Sequence, residues 1–230
     1  MLKKVLHVVA MVLVAGAAVG LAQAPRDGIF ITDEDIKAVL KYAADTKRTI
    51  PDNTIRVIDM GTYQLGVAVI HRGRLGGGNA AAAGRGGAPA APAAAPAAAG
   101  GRGAAPNPQP ACGEQRPGAA GPNGLYHDDT AETYVVVSGS ATLITGGTIV
   151  NGRRSPADSE VTTILNGPSC GGTMVGYTTR QIKTGDIIIV PEGVPHGFSA
   201  VPDHVTYLSV RPDLKKVLQR GYVNPALTPR

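Results

Sequence analysis

The chain has 230 residues, a formal net charge of +5, 43% hydrophobic residues, no Trp and only two Phe. That length suits one principal core, and the charge is too mild for a nucleic-acid-binding surface. With so few large aromatics the core must be built from Val, Ile and Leu, a composition that suits strands.

Residues 1–24 read as an export signal: Lys3 and Lys4 form a basic start, an apolar run extends from Val5 to Leu21, and Ala22-Gln23-Ala24 offers a small-residue cleavage site. Pro25 disfavours cleavage directly before it, which leaves cleavage after Ala22 or retention as an N-terminal anchor open. Loss of Lys3 and Lys4 lowers the net charge from +5 to +3. No later segment is apolar for long enough to cross a membrane, so a periplasmic or secreted protein without a stable span is expected. Cys112 and Cys170 are the only cysteines. An oxidising compartment favours a bridge between them, and two unpaired small residues are the alternative; both stay open here.

Residues 25–54 form an N-terminal segment with a helix over 32–44. Thr32 is its N-cap, Asp35 completes a capping box, and Ile36, Val39, Leu40 and Ala43 share one face. Ile31 and Ile36 suit a hydrophobic staple across its start. From Ile55 the period becomes that of strands, predicted at 55–60, 63–71, 132–138, 140–145, 161–166, 179–183, 187–190, 196–200 and 204–210. Many short strands without intervening helices indicate an all-β sandwich or barrel. Residues 75–111 are almost wholly Ala, Gly and Pro. Such a tract offers no side chains to offset the entropy of ordering, so a disordered insertion at a loop tip is expected. The tail, 213–230, carries a helical pattern over roughly Asp213 to Arg220.

Two histidines stand in informative settings. His127 is followed by Glu132 and then Gly139, in the order H-x4-E-x6-G; Gly185, Pro191, Gly193 and His196 follow as G-x5-P-x-G-x2-H. Strand alternation from Glu132 puts Glu132, Tyr134 and Val136 on one face, and Pro191 with Gly193 marks a turn immediately before His196. If the two segments face each other, two imidazoles and a carboxylate converge. Such a set suits a first-row divalent ion and leaves coordination positions open.

This double motif resembles that of the cupin superfamily, and Ala131-Glu132-Thr133-Tyr134-Val135-Val136 with the turn Thr145-Gly146-Gly147 is similar to small bacterial cupin-domain proteins. The resemblance covers 55–212 apart from the insertion. It implies a single cupin barrel (a double-stranded β-helix, or jelly roll), and a metal site at His127, Glu132 and His196. One divalent ion, Fe, Mn, Zn or Ni, is the cofactor it implies. Two departures stand out. Leu125 occupies the place of the first His in the H-x-H of many cupins, with Asp128 or Asp129 as substitute oxygen ligands; Ala200 replaces an Asn often found after the second motif. Cupins often dimerise through their sheets, so a homodimer is expected, and the partner is a small molecule rather than nucleic acid.

Tyr134 shares the face of Glu132 and is the catalytic candidate; a Tyr that only fills the barrel wall is the alternative. His71 and His204 read as surface and structural residues. No nucleophile elbow, C-x-x-C pair or phosphate loop is present. Two functions stay open: a metal-dependent, dioxygenase-like enzyme and a non-catalytic small-ligand-binding module.

Overall fold

The computed structural model describes residue 25, residues 27–76 and residues 109–228. The expected export signal and most of the Ala/Gly/Pro tract lie outside the described residues. Both flanks of that tract are paired: Leu75 bridges Val201, and Ala111 pairs with Arg153.

The elements in chain order are α1 (Asp33–Asp45), β1 (Asp52–Asp59), β2 (Gln64–Arg72), β3 (Ala111–Cys112), β4 (Asn123–His127), β5 (Glu132–Thr145), β6 (Thr148–Arg154), β7 (Ser169–Val175), β8 (Thr178–Lys183), β9 (Ile187–Val190), β10 (His196–Ala200) and β11 (Val205–Asp213). All pairings between these strands are antiparallel. The fold is the all-β jelly roll expected.

Helix α1 starts where the sequence places it. Asp35 N donates to Thr32 Oγ1 at 3.2 Å and Thr32 N donates to Asp35 Oδ2 at 3.1 Å, which satisfies two otherwise orphaned amides. Its apolar face docks through Val39 onto Ile55 and Val69, with Ile31, Ile36 and Leu40 around them. Complete burial of each such side chain contributes about 1.5–3 kcal/mol.

β5 organises the barrel. Its first half pairs with β11 and β9, its second half with β10 and β8. One strand thus belongs to two sheets, and the segments expected at 132–138 and 140–145 are a single element that turns at Gly139. Gly139 has φ +77°, and a Cβ there would stand 2.0 Å from the His204 carbonyl oxygen. Only glycine satisfies both conditions. The core between the sheets joins Ala68 and Ile70 to Tyr134, Val136, Leu143, Phe198 and Tyr207.

Two expectations fail. Residues 161–166, read as a strand, form one π-helical turn over Val161–Leu165. Their hydroxyls offer the backbone a local alternative to a ladder: Thr163 Oγ1 donates to the Ser159 carbonyl at 2.9 Å and Thr162 Oγ1 to the Pro156 carbonyl at 2.8 Å. The helix expected from Asp213 to Arg220 is a turn. The Asp213 carboxylate accepts from Val217 N and Leu218 N, at 3.0 and 2.9 Å, and from Gln64 Nε2 at 3.1 Å. These bonds fold the chain around a buried side chain, and the tail's helical turn is instead a short 3-10 segment at Pro225–Leu227.

Candidate metal centre

His127 ends β4, Glu132 opens β5 and His196 opens β10, so three strand ends meet at one site. The two motifs are bonded directly: Gly193 N donates to the His127 carbonyl at 2.8 Å. His196 also pairs with both Leu125 and Thr145. All three side chains are buried, each no more than 5% exposed. They are the group among the described residues whose His and carboxylate ligand atoms lie within 4.8 Å of one another.

Hydrogen bonding fixes which imidazole nitrogens carry protons. Ser169 Oγ donates to the Gly167 carbonyl at 2.8 Å, so toward His127 Nδ1, 2.7 Å away, it accepts. His196 Nδ1 lies 2.9 Å from the Val194 carbonyl, which only accepts. In its neutral form each ring therefore carries the proton on Nδ1 and turns Nε2 to the site as an acceptor. Those Nε2 atoms face Glu132 Oε2 at 3.4 and 3.1 Å. His127 Nε2 also accepts from Asn166 Nδ2 and Glu132 Oε2 from Tyr134 Oη, and a divalent ion among the three atoms would offset the repulsion of the lone pairs that remain. Ligands about 2.0–2.2 Å from a common first-row ion stand about 3–3.5 Å apart when adjacent, so the spacing fits a divalent metal. The outward Nδ1–H bonds to Ser169 and Val194 are the kind that orient metal-binding histidines.

Four donors hold Glu132. Arg211 Nε, Ser209 Oγ and Asn166 Nδ2 reach Oε1 at 2.8, 3.0 and 3.1 Å, and Tyr134 Oη reaches Oε2 at 2.7 Å. Burial alone would push the carboxyl up, yet Arg211 outweighs it and holds it well below its ordinary value. Burial pushes His127 below its ordinary value despite the neighbouring carboxylate. Burial and Glu132 both keep the Tyr134 hydroxyl protonated, well above its ordinary value. Arg211 is anchored in turn by Asp52, with Nη2–Oδ2 at 2.6 Å, and by the Leu165 carbonyl at 3.0 Å.

Tyr134, the catalytic candidate, lies beside the carboxylate with its proton directed at it. Asp128 and Asp129 supply no ligand: Asp128 pairs with Arg154 and Asp129 with Lys215. His71 and His204 stack on each other, centroids 5.9 Å apart, and stand outside the group. Asn166 and Arg211 were not singled out from the sequence. Asn166 also donates to His127 Nε2 at 3.0 Å. A run of hydroxyl residues before Asn166, and an Arg at an inward position of an apolar strand, were the available signals.

The fold and this constellation define an all-β antiparallel protein with a buried His/Glu/His centre, whose paired motifs resemble those of cupins. No family model matches the chain, and no curated protein is similar to it. Solved structures that it resembles include BH2720 from Bacillus halodurans, with a TM-score of 0.36 at 12% identity over 88% of this chain and 93% of that one. A recombinant oxalate oxidase in complex with glycolate gives 0.29 at 11% identity, over 74% of this chain and 54% of that one. Peruvianin-I, a cysteine peptidase from Thevetia peruviana latex, gives 0.31 at 11% identity, over 82% and 78%. At such scores the strand order and the paired motifs define the fold class.

Proposed function

We propose that this chain is an exported metal-dependent cupin enzyme of the oxygenase type, acting on a small molecule, with His127, Glu132 and His196 holding one divalent ion. The observation that carries this reading is the convergence of His127 Nε2 and His196 Nε2 on one carboxylate oxygen, at 3.4 and 3.1 Å. A bound ion of this kind supplies Lewis acidity and open positions for O2 or an oxygenated substrate.

The chain's own residues do the rest. Ser169 and the Val194 carbonyl aim the imidazoles, and Arg211 with Ser209 keeps the carboxylate ionised and in place. Leu125, Phe198 and Tyr207 line the adjoining cavity and limit water. Tyr134 holds a proton at Oη, 2.7 Å from the carboxylate, and is the group proposed to pass it to or share it with a bound ligand. The second reading, a non-catalytic small-ligand module, is favoured by one observation: that same proton is already committed to Glu132.

No helix among the described residues is long and apolar enough to cross a membrane. Cys112 and Cys170 are bridged, which supports the proposed periplasmic or secreted location; the homodimer is proposed on the same footing as the enzyme. Protein purified from the exported fraction without chelator is expected to carry about one divalent ion per chain and to consume O2 with a small organic substrate. A metal-free wild-type protein overturns the metal reading, and a metal-loaded protein inert toward O2 favours the binding module.

A further inference from the structure

The cavity beside the metal centre is lined by four formally charged side chains, Asp52, Arg72, Glu132 and Arg211, besides the two imidazoles. Three of them are committed to one another, because Arg211 holds Asp52 with both terminal nitrogens and Glu132 with Nε. Arg72, at the end of β2, stands outside that triad. Its Nε is shut off from water and has no hydrogen-bond partner. Its neighbours are aromatic: the guanidinium carbon lies 5.0 Å from the Phe198 ring centroid. Burial keeps the Tyr207 hydroxyl protonated despite this arginine, so Tyr207, which hydrogen-bonds the guanidinium as a neutral partner, is no counter-ion.

Arg72 is only partly buried, but a guanidinium Nε–H withdrawn from water without a partner costs free energy unless an acceptor meets it. The aromatic wall presents the fork but offers no carboxylate. Charge balance points the same way: the two carboxylates offset the two guanidiniums, so a divalent ion leaves two positive charges to be matched. The cavity volume is about 50 Å³. At about 10–15 Å³ per water by this measure, it holds about four waters. Only a ligand of a few heavy atoms fits, and a planar anion that an Arg fork grips with two bonds is a carboxylate.

We propose, resting on the metal reading above, that Arg72 anchors an anionic substrate. Its guanidinium binds the carboxylate of a small organic acid, about two or three carbons long, beside the metal centre. Arg72 thereby sets the substrate class, while Glu132 and the imidazoles hold the ion.

The test is calorimetric titration of manganese-loaded protein with acetate and with acetamide, its neutral counterpart of equal size. Acetate should bind, acetamide should bind at least about 10-fold more weakly, and Arg72→Gln should lose about 10- to 100-fold in acetate affinity. Its manganese content should equal that of the wild type. Arg72→Lys, which keeps the charge without the fork, should fall between the two. Equal acetate affinity in wild type and Arg72→Gln, or acetamide binding as tightly as acetate, overturns the proposal. The acetate–acetamide comparison repeated on metal-free wild type needs no variant and removes coordination to the ion, so it decides even where Arg72→Gln fails to fold. If the wild type takes up no manganese, the metal reading fails separately, and the same titrations on metal-free protein decide for or against Arg72.

Discussion

At the scale of single residues, the centre is a set of buried charges that hold one another. Arg211 is the joint between Glu132 and Asp52, so replacing it with Met leaves two carboxylates without a cation. Arg211→Met should cost about 3–5 kcal/mol, the range for breaking a buried pair from one side; urea unfolding checks this. Tyr134→Phe removes one bond to the carboxylate and leaves the ligands intact. It should weaken metal binding by about 10- to 100-fold without abolishing it. The pH dependence of the metal-free protein follows from the same groups. Glu132 and His127 both have folded values below their ordinary ones of 4.5 and 6.5, so the unfolded chain binds more protons. Stability is therefore fully present above about pH 6.5 and declines on acidification, first through His127 and then through Glu132. Urea midpoints that do not change between about pH 7.5 and about pH 4 would contradict this assignment.

At the scale of elements, the motif residues were legible and their supports were not. His127, Glu132 and His196 show in the sequence because strand alternation and a Pro/Gly turn fix their directions. Arg211 and Asn166 come from elements distant in the chain, and only packing brings them to Glu132. The strands β4, β6 and β7 also escaped recognition. Gly124, Gly171 and Gly172 lower their strand propensity, yet a Cβ on Gly124 would lie 2.1 Å from Met174 Sδ and 2.7 Å from the His196 carbonyl oxygen. Close approach of backbones, rather than propensity, placed glycine there. Conversely, the β-branched run from Val161 to Ile164 looked like a strand and is held as a turn by its own hydroxyls. Gly139 was visible as a motif position, but its role at the turn of β5 was not. Gly139→Val should destabilise by more than about 2 kcal/mol, because positive φ and contact with the His204 carbonyl both penalise it; thermal unfolding reads this out.

For the whole molecule, the Cys112–Cys170 bridge ties the short strand that follows the Ala/Gly/Pro tract to β7, whose neighbouring Ser169 orients His127. The cysteines are 58 residues apart. The chain-entropy relation gives about 4 kcal/mol of stabilisation for such a loop. Reduction should lower Tm by about 10 °C for a domain of this size, and an unchanged Tm in the Cys112→Ala/Cys170→Ala variant would contradict that. The account as a whole turns on whether His127, Glu132 and His196 act as one unit, and metal stoichiometry in a substitution series tests this most directly. Ala at each of the three positions should abolish stoichiometric metal in protein that circular dichroism shows to be folded, whereas His71→Ala and His204→Ala should keep about one ion per chain. Full metal content in folded His196→Ala would contradict the centre described.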